Sequence, residues 1–207
     1  MTHHLILGGL GFIGRHTALA LALRGEPVTV VDRRPPPPEF EAEFEAAFDG
    51  LPLVFRQAEI ASVEWEGLLE NVDVVHHYAW STIPQTANDD PLGDLDQNVR
   101  STVRLLEAHR RFPGKRLVFA SSGGTVYGRL NQTPVPETHS FAPITAYGVS
   151  KASVEMYLGF YRACYGLDCR VARISNPFGA GQDPRRPQGA ASAFVFKAMA
   201  DEEIAIW

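Results

Sequence analysis

The chain has 207 residues, 45% of them hydrophobic and 21% charged, with a formal net charge of -5 at pH 7. That length and balance suit one domain with a proper core, and the acidic surplus excludes a basic footprint for nucleic acid or an anionic membrane. No apolar run approaches membrane-spanning length and the amino terminus shows no charged-then-apolar leader, so a cytoplasmic protein without a membrane partner is expected.

From the amino terminus, His3 and His4 precede a short apolar strand, Leu5-Ile6-Leu7. The adjacent histidines read as without a role, with metal binding or a tag remnant as the alternatives; Cys164 and Cys169 have no metal-ligand or redox spacing, and no metal is expected. The cysteines read as two buried thiols, with a disulfide as the alternative. The strand runs into Gly8-Gly9-Leu10-Gly11-Phe12-Ile13-Gly14, with glycines at i, i+3 and i+6. That is a variant of the dinucleotide-binding pattern. The turn needs positive φ, the backbone must approach a pyrophosphate, and the helix must pack closely on the strand. The helix it opens, from about Phe12 to Arg24 with Gly25 as its stop, offers the anion unpaired N–H groups and a positive dipole end.

Val28 to Val31 reads as a second buried strand, and Asp32 ends it where an acid can accept hydrogen bonds from ribose hydroxyls. Strand, turn, helix, strand and acid in that order predict a bound dinucleotide. Asp32 favours NAD, since a 2′-phosphate would sit against its charge. Arg33 and Arg34 keep NADP open, or simply begin a solvated loop.

Pro35 to Pro38 predicts a stiff surface connector. Phe40, Phe44 and Phe48 then recur at four-residue spacing among acids, which predicts a short amphipathic helix. Leu53-Val54-Phe55 is strand three, followed by Ala58-Glu59-Ile60 and a short helix around Trp65 to Leu69. Val72 to His77 is strand four, leading into a loop with Trp80, Thr82, Pro84 and Pro91. Gln97 to Arg111 predicts a helix stopped by Pro113-Gly114, and Leu117 to Ala120 is strand five, running into Ser121-Ser122-Gly123-Gly124. A long polar loop precedes a helix from Ala146 to Tyr165, ended by Gly166. Cys169 to Ile174 is strand six, a helix follows near Ala191 to Ala200, and Ile204 to Trp207 looks like the start of a strand. The alternation predicts an α/β fold, a Rossmann-type doubly wound parallel sheet with helices on both faces. Ligands on such sheets bind at the carboxyl ends of the strands.

Tyr147 and Lys151 open the long helix at i and i+4, on one face. A phenol near its reference pKa of ~10 is a poor base at neutral pH. An ammonium beside it, with a positive nicotinamide, favours the phenolate. Tyr147 can then take a proton from a sugar hydroxyl while hydride leaves the same carbon, and Lys151 can hold the nicotinamide ribose.

With these residues in view the chain resembles the extended short-chain dehydrogenase/reductase family, in particular its NAD-dependent nucleotide-sugar epimerases and dehydratases. Gly8-x-x-Gly11-x-x-Gly14 is similar to the family's glycine turn and Tyr147-x-x-x-Lys151 to its catalytic pair. Val75 to Trp80 resembles its strand end along the cofactor, Asn98-Val99 its Asn-Val helix, and Val126-Tyr127-Gly128 and Asn176-Pro177-Phe178-Gly179 two further signatures. The resemblance implies cofactor contacts from Gly8, Gly11, Phe12, Ile13, Gly14, Asp32 and Arg33. It adds His77, Ala79 and Asn98, with Glu59 and Ile60 beside the adenine, although the family usually has Asp where Glu59 stands. Asn176 is implied to touch the substrate, and Thr82 and Thr125 are expected beside the sugar, with a plain surface loop as the alternative for Thr82. The family's third catalytic residue, a Ser or Thr, falls on Gly123 here. Thr125 is the preferred replacement and Ser122 the next.

The loop also bears on reaction type. The resembling 4,6-dehydratases carry Asp-Glu, and the decarboxylases a glutamate, where this chain has Gly124-Thr125. What the resemblance then implies is reversible oxidation at one carbon: a nucleotide-sugar 4-epimerase acting through a 4-keto sugar, on a substrate of the UDP-hexose kind. A ketoreductase or dehydratase of the family, and a catalytically incomplete NAD-binding fragment, are the alternatives. The resembling enzymes continue into a smaller domain that clasps the nucleotide. Residues 1–207 are therefore expected to be the NAD-binding domain, with 175–207 the beginning of a substrate portion that is largely missing. The helices Gln97–Arg111 and Ala146–Tyr165 resemble those that pair between subunits, which implies a homodimer. Met156, Leu158 and Phe160 suit either that interface or the core.

Overall fold

The structure is a computed structural model that describes residues 1–36, 50–183 and 189–204. The helix expected around Phe40, Phe44 and Phe48 lies outside the described residues, as does nearly all of the strand expected from Ile204.

Strands β1 (His4–Leu7), β2 (Val28–Asp32), β3 (Leu53–Gln57), β4 (Val74–His77), β5 (Arg116–Ser122) and β6 (Asp168–Ile174) form one sheet. All the pairings are parallel and the order is β3-β2-β1-β4-β5-β6. The order reverses between β1 and β4, so the loops leaving these two strands part and open a crevice at their carboxyl ends. β1 and β2 are buried along their whole length, as an inner parallel strand covered on both faces must be.

Period-2 alternation divides the core between the two faces. Leu5, Leu7, Val75, Leu117 and Phe119 face one side, against Leu105 and Leu106 of α5 (Ser101–His109) and Val154 and Leu158 of α6 (Ala146–Tyr165). Ile6, Val28 and Val30 face the other, against Ala18 and Ala22 of α1 (Phe12–Ala22). Two further helices, α2 (Trp65–Leu69) and α7 (Ala190–Met199), fall where the pattern places them. No helix among the described residues is long and apolar enough to cross a membrane.

The segment expected as a loop after strand four is helical instead. It holds α3 (Pro84–Asp89) and α4 (Pro91–Asp94), each opening on proline at its first position. Proline is at home there because the N–H it lacks would have no helical partner. Asp90 caps α4 by accepting from the Gly93 N–H. A π-helical turn, Leu95–Arg100, joins α4 to α5. The helix expected from Gln97 therefore begins at Pro91, and it ends at His109 rather than Arg111. α6 starts at a Thr145 cap, whose hydroxyl accepts from the Gly148 N–H, and stops at Gly166 with φ 69°.

Two expectations need correction. Leu158 belongs to the core, whereas Met156 and Phe160 stay exposed, because helical periodicity turns position 158 toward β5. Cys169, on β6, is buried in the core, but Cys164, on α6, is exposed; both are free thiols.

Candidate active site

The turn after β1 shows why it is built of glycine. Gly8 sits at φ 77°, and a Cβ there would lie 2.6 Å from the Ala79 nitrogen. A Cβ on Gly14 would lie 2.3 Å from the Gly8 carbonyl oxygen. The turn, the exit of β4 and the start of α1 therefore touch backbone to backbone. Gly11 caps α1 without a side-chain hydrogen bond. The first-turn N–H groups are thus left to a ligand of negative charge. The Asp32 carboxylate accepts from the Leu10 N–H at 3.2 Å and from the Arg34 N–H at 3.3 Å, which braces the turn against the end of β2.

From this turn a groove runs along the strand ends. Gly8, Gly11, Asp32 and Arg33 line its start, and Glu59, Ile60, Ala79 and Asn98 its flanks. A glycine cradle, an uncapped helix start and a strand-end acid are what a dinucleotide requires, so the residues present fit NAD. Three residues expected at the cofactor and one expected at the substrate, Asn176, lie elsewhere. The Phe12 and Ile13 side chains line a second, open groove of about 700 Å³ on the outer side of α1, together with Asn176 and Phe178. What Phe12 and Ile13 offer the first groove is backbone. His77 is 1% exposed, with Nε2 2.8 Å from the Thr102 hydroxyl and its ring against Phe119. Burial, and then the nearby Lys151 charge, push its pKa down to about 3. It is a neutral core histidine.

Tyr147 and Lys151 both contact Trp80, which lines the glycine-turn groove. Lys151 is 4% exposed, and its ammonium donates to the Ala120 carbonyl at 2.7 Å. That ammonium lies 5.6 Å from the centre of the Tyr147 ring. Burial drives the Lys151 pKa well below the ordinary lysine value, against the opposing pull of Asp94 and Glu155. Burial, and then the Asp94 charge, push the Tyr147 phenol up to about 12. The protein alone therefore keeps Tyr147 protonated at neutral pH, and added positive charge is needed to make it a base.

The loop after β5 supplies the hydroxyls. The Thr125 hydroxyl is buried without a hydrogen-bond partner, and a Cβ on Gly148 would strike the Thr125 carbonyl oxygen at 2.6 Å. Thr125 is thus packed on the first turn of α6, next to Tyr147, with its hydroxyl unspent. Ser122 ends β5 and is half-buried, while the neighbouring Ser121 hydroxyl is committed to Glu155. A side chain at Gly123 would press on the end of β6, 3.1 Å from the Arg173 carbonyl oxygen. Arg173 pairs with Glu155 at 2.9 Å and donates to the Tyr127 hydroxyl and the Glu137 carbonyl, each at 2.7 Å. This largely buried pair anchors the loop that carries Thr125.

Sequence reasoning missed Asp94. It is 1% exposed and accepts from the Asn98 amide at 2.8 Å, from the Thr82 hydroxyl and from the Ser150 hydroxyl. Asn98 in turn accepts from the Ser81 N–H at 2.9 Å. One carboxylate thereby joins the groove wall, the Thr82 loop and α6. Its signal in the sequence is an acid four residues before Asn98, on one helical face, and it is hidden only while 91–96 is read as loop.

The profile of the NAD dependent epimerase/dehydratase family matches residues 4–207. The chain is 33% identical over 193 residues to a UDP-glucose 4-epimerase of Mycolicibacterium smegmatis, covering 92% of this chain and 61% of that protein. It is 30% identical over 204 residues to a dTDP-4-dehydro-6-deoxyglucose reductase of Escherichia coli, covering 98% and 64%. Among solved structures, UDP-glucose 4-epimerase of Thermotoga maritima with UDP-glucose superposes with a TM-score of 0.85 at 30% identity, covering 100% of this chain and 66% of that one. The Thermus thermophilus UDP-glucose 4-epimerase complex with NAD gives 0.85 at 29% identity, covering 98% and 64%. The chain thus spans less than two thirds of the length of these relatives.

Proposed function

Because the chain belongs to the NAD dependent epimerase/dehydratase family, we propose that it holds NAD in the glycine-lined groove and takes part in 4-epimerisation of a nucleotide sugar, a UDP-hexose. What supports this reading is Tyr147 beside Lys151 on one face of α6, both in contact with Trp80 of the groove wall, with the Thr125 backbone packed on the same helical turn and its hydroxyl unpartnered. NAD would supply a reversible hydride acceptor there. Tyr147 takes the proton of the sugar's 4-hydroxyl and later returns it to the 4-keto oxygen. Lys151 lends positive charge that favours the phenolate, and Thr125 donates a hydrogen bond to the reacting oxygen. No carboxylate stands at Gly124-Thr125, so the added acid and base of an elimination are lacking in that loop. Residues 175–207 fit this reading as the beginning of the substrate-binding portion, with Asn176 on it.

Incubation with UDP-glucose and no added reduced cofactor is expected to yield the 4-epimer, since a reaction that returns its hydride needs no external reductant. A second reading has its own support in the likeness to the dTDP-4-dehydro-6-deoxyglucose reductase. A ketoreductase forms no epimer in that assay and instead consumes NADH stoichiometrically with a 4-keto sugar nucleotide. Absence of both reactions, with NAD still bound, identifies the chain as a cofactor-holding portion only.

The reading includes a homodimer. Val149, Met156 and Phe160 lie at helical spacing along α6 and are 49%, 60% and 46% exposed, an apolar stripe suited to a second copy of the same helix. A light-scattering mass of two chains is expected; a mass of one chain overturns the pairing.

A further inference from the structure

We propose that Trp80 is a positioning residue for the catalytic pair, its indole face serving as the counter-surface that holds the Lys151 ammonium in place. The inference rests on reading Tyr147 and Lys151 as the reacting pair. Lys151 is buried with a charge to satisfy, and only one of its contacts to oxygen is direct, the Ala120 carbonyl at 2.7 Å. Among the described residues no carboxylate pairs with it. Asp94 is spent on Thr82, Asn98 and Ser150, and Glu155 on Arg173 and Ser121. What surrounds the ammonium instead is aromatic. The centre of the Trp80 indole is 3.6 Å away, and that of the Phe119 ring 4.7 Å.

Indole has the most strongly negative face of the aromatic side chains, and its attraction for a cation grows when water is excluded. The same indole is set edge to face against Tyr147, with ring centres 6.0 Å apart, and leans on Phe119 at 5.9 Å. Its own N–H is buried without an acceptor, so ring contacts rather than a hydrogen bond fix its orientation. Trp80 thereby touches both members of the pair. It does so from the residue next to Ala79, whose backbone bounds the glycine turn.

The titratable groups around Lys151 are Tyr147 and Glu155 on its own helix, Asp94 on α4 and His77 on β4. None of them belongs to Trp80, so its replacement alters the ammonium's surroundings without removing a charge. The chain's only lysines are Lys115, Lys151 and Lys197. Full-length protein labelled with 13C at lysine Cε therefore gives a resolved pH titration for each, assigned with Lys115→Arg and Lys197→Arg.

Trp80→Leu is expected to lower the Lys151 titration midpoint by at least a factor of about ten in proton affinity, and Trp80→Phe to restore part of it. In turnover assays the same Leu variant shifts the acid limb of kcat upward with little change in KM. A Lys151 titration unchanged in folded Trp80→Leu overturns the proposal. If Trp80→Leu does not fold, a Trp80→Phe titration identical to the parent overturns it. The NMR titration needs no substrate, so a shifted Lys151 in a protein without epimerase activity upholds the Trp80 role and rejects the proposed function instead.

Discussion

Tyr147→Phe is expected to reduce turnover by a factor of about 10²–10⁴, while NAD titration and the urea midpoint stay close to the parent's. The exchange removes one oxygen from a ring whose packing against Trp80 is preserved. Among the described residues, neither of the neighbouring basic groups is equipped to take over the proton. Lys151 is held to the Ala120 carbonyl, and His77 is sealed in the core. The sign of the pH dependence follows from the same geometry. With the phenol pushed up to about 12 by burial and by Asp94, the rate rises with pH as Tyr147 loses its proton in the complex, and the bound cofactor's positive ring moves that rise toward neutrality. The residual activity of the Phe variant lacks this limb. A variant that keeps more than a tenth of parental kcat would remove Tyr147 from the role of base.

Gly14→Ala carries the second large expectation, loss of NAD affinity by about a hundredfold or more together with ~1–3 kcal/mol of stability. The new methyl carbon would fall 2.3 Å from the Gly8 carbonyl oxygen and 2.7 Å from the Gly9 Cα. Both are backbone atoms and neither can rotate aside. α1 must back away from the turn, and its first N–H groups then leave the place where a diphosphate would meet them. Gly67→Ala is the control. It sits within α2 with nothing inside 4 Å of the added Cβ, so helix propensity favours it by roughly 0.5–1 kcal/mol and cofactor affinity stays unchanged. Calorimetric titration of NAD into both variants, beside their urea midpoints, separates a blocked cradle from general destabilisation.

What could be read from the sequence was whatever repeats at a short, fixed interval. The apolar runs gave the strands of the sheet, the glycine spacing gave the turn, and Tyr147 with Lys151 showed themselves because one helical turn is enough to see both. Proline misled in 84–94, since the residue that breaks a helix interior is the same one that starts a helix well. That misreading concealed Asp94. The π-helical turn at Leu95–Arg100 leaves no mark in a 3.6-residue pattern, which is why the continuous run from Pro91 was placed too late. His77 was legible after all: alternation along β4 puts it on the face of Val75, among the core, and the family likeness outweighed that simpler signal. Arg173 with Glu155 was not, because their meeting depends on how β6 returns beside α6, a matter of tertiary packing.

Asp94 has a consequence for how this scaffold diversifies. Thr82, Asn98 and Ser150 draw on a single acceptor group, so a change in any one alters what the other two are able to hold. The positions of the Thr82 loop, the π-helical turn and α6 are then inherited as a linked set, and a lone exchange at Thr82 leaves the other two donors to re-share the carboxylate.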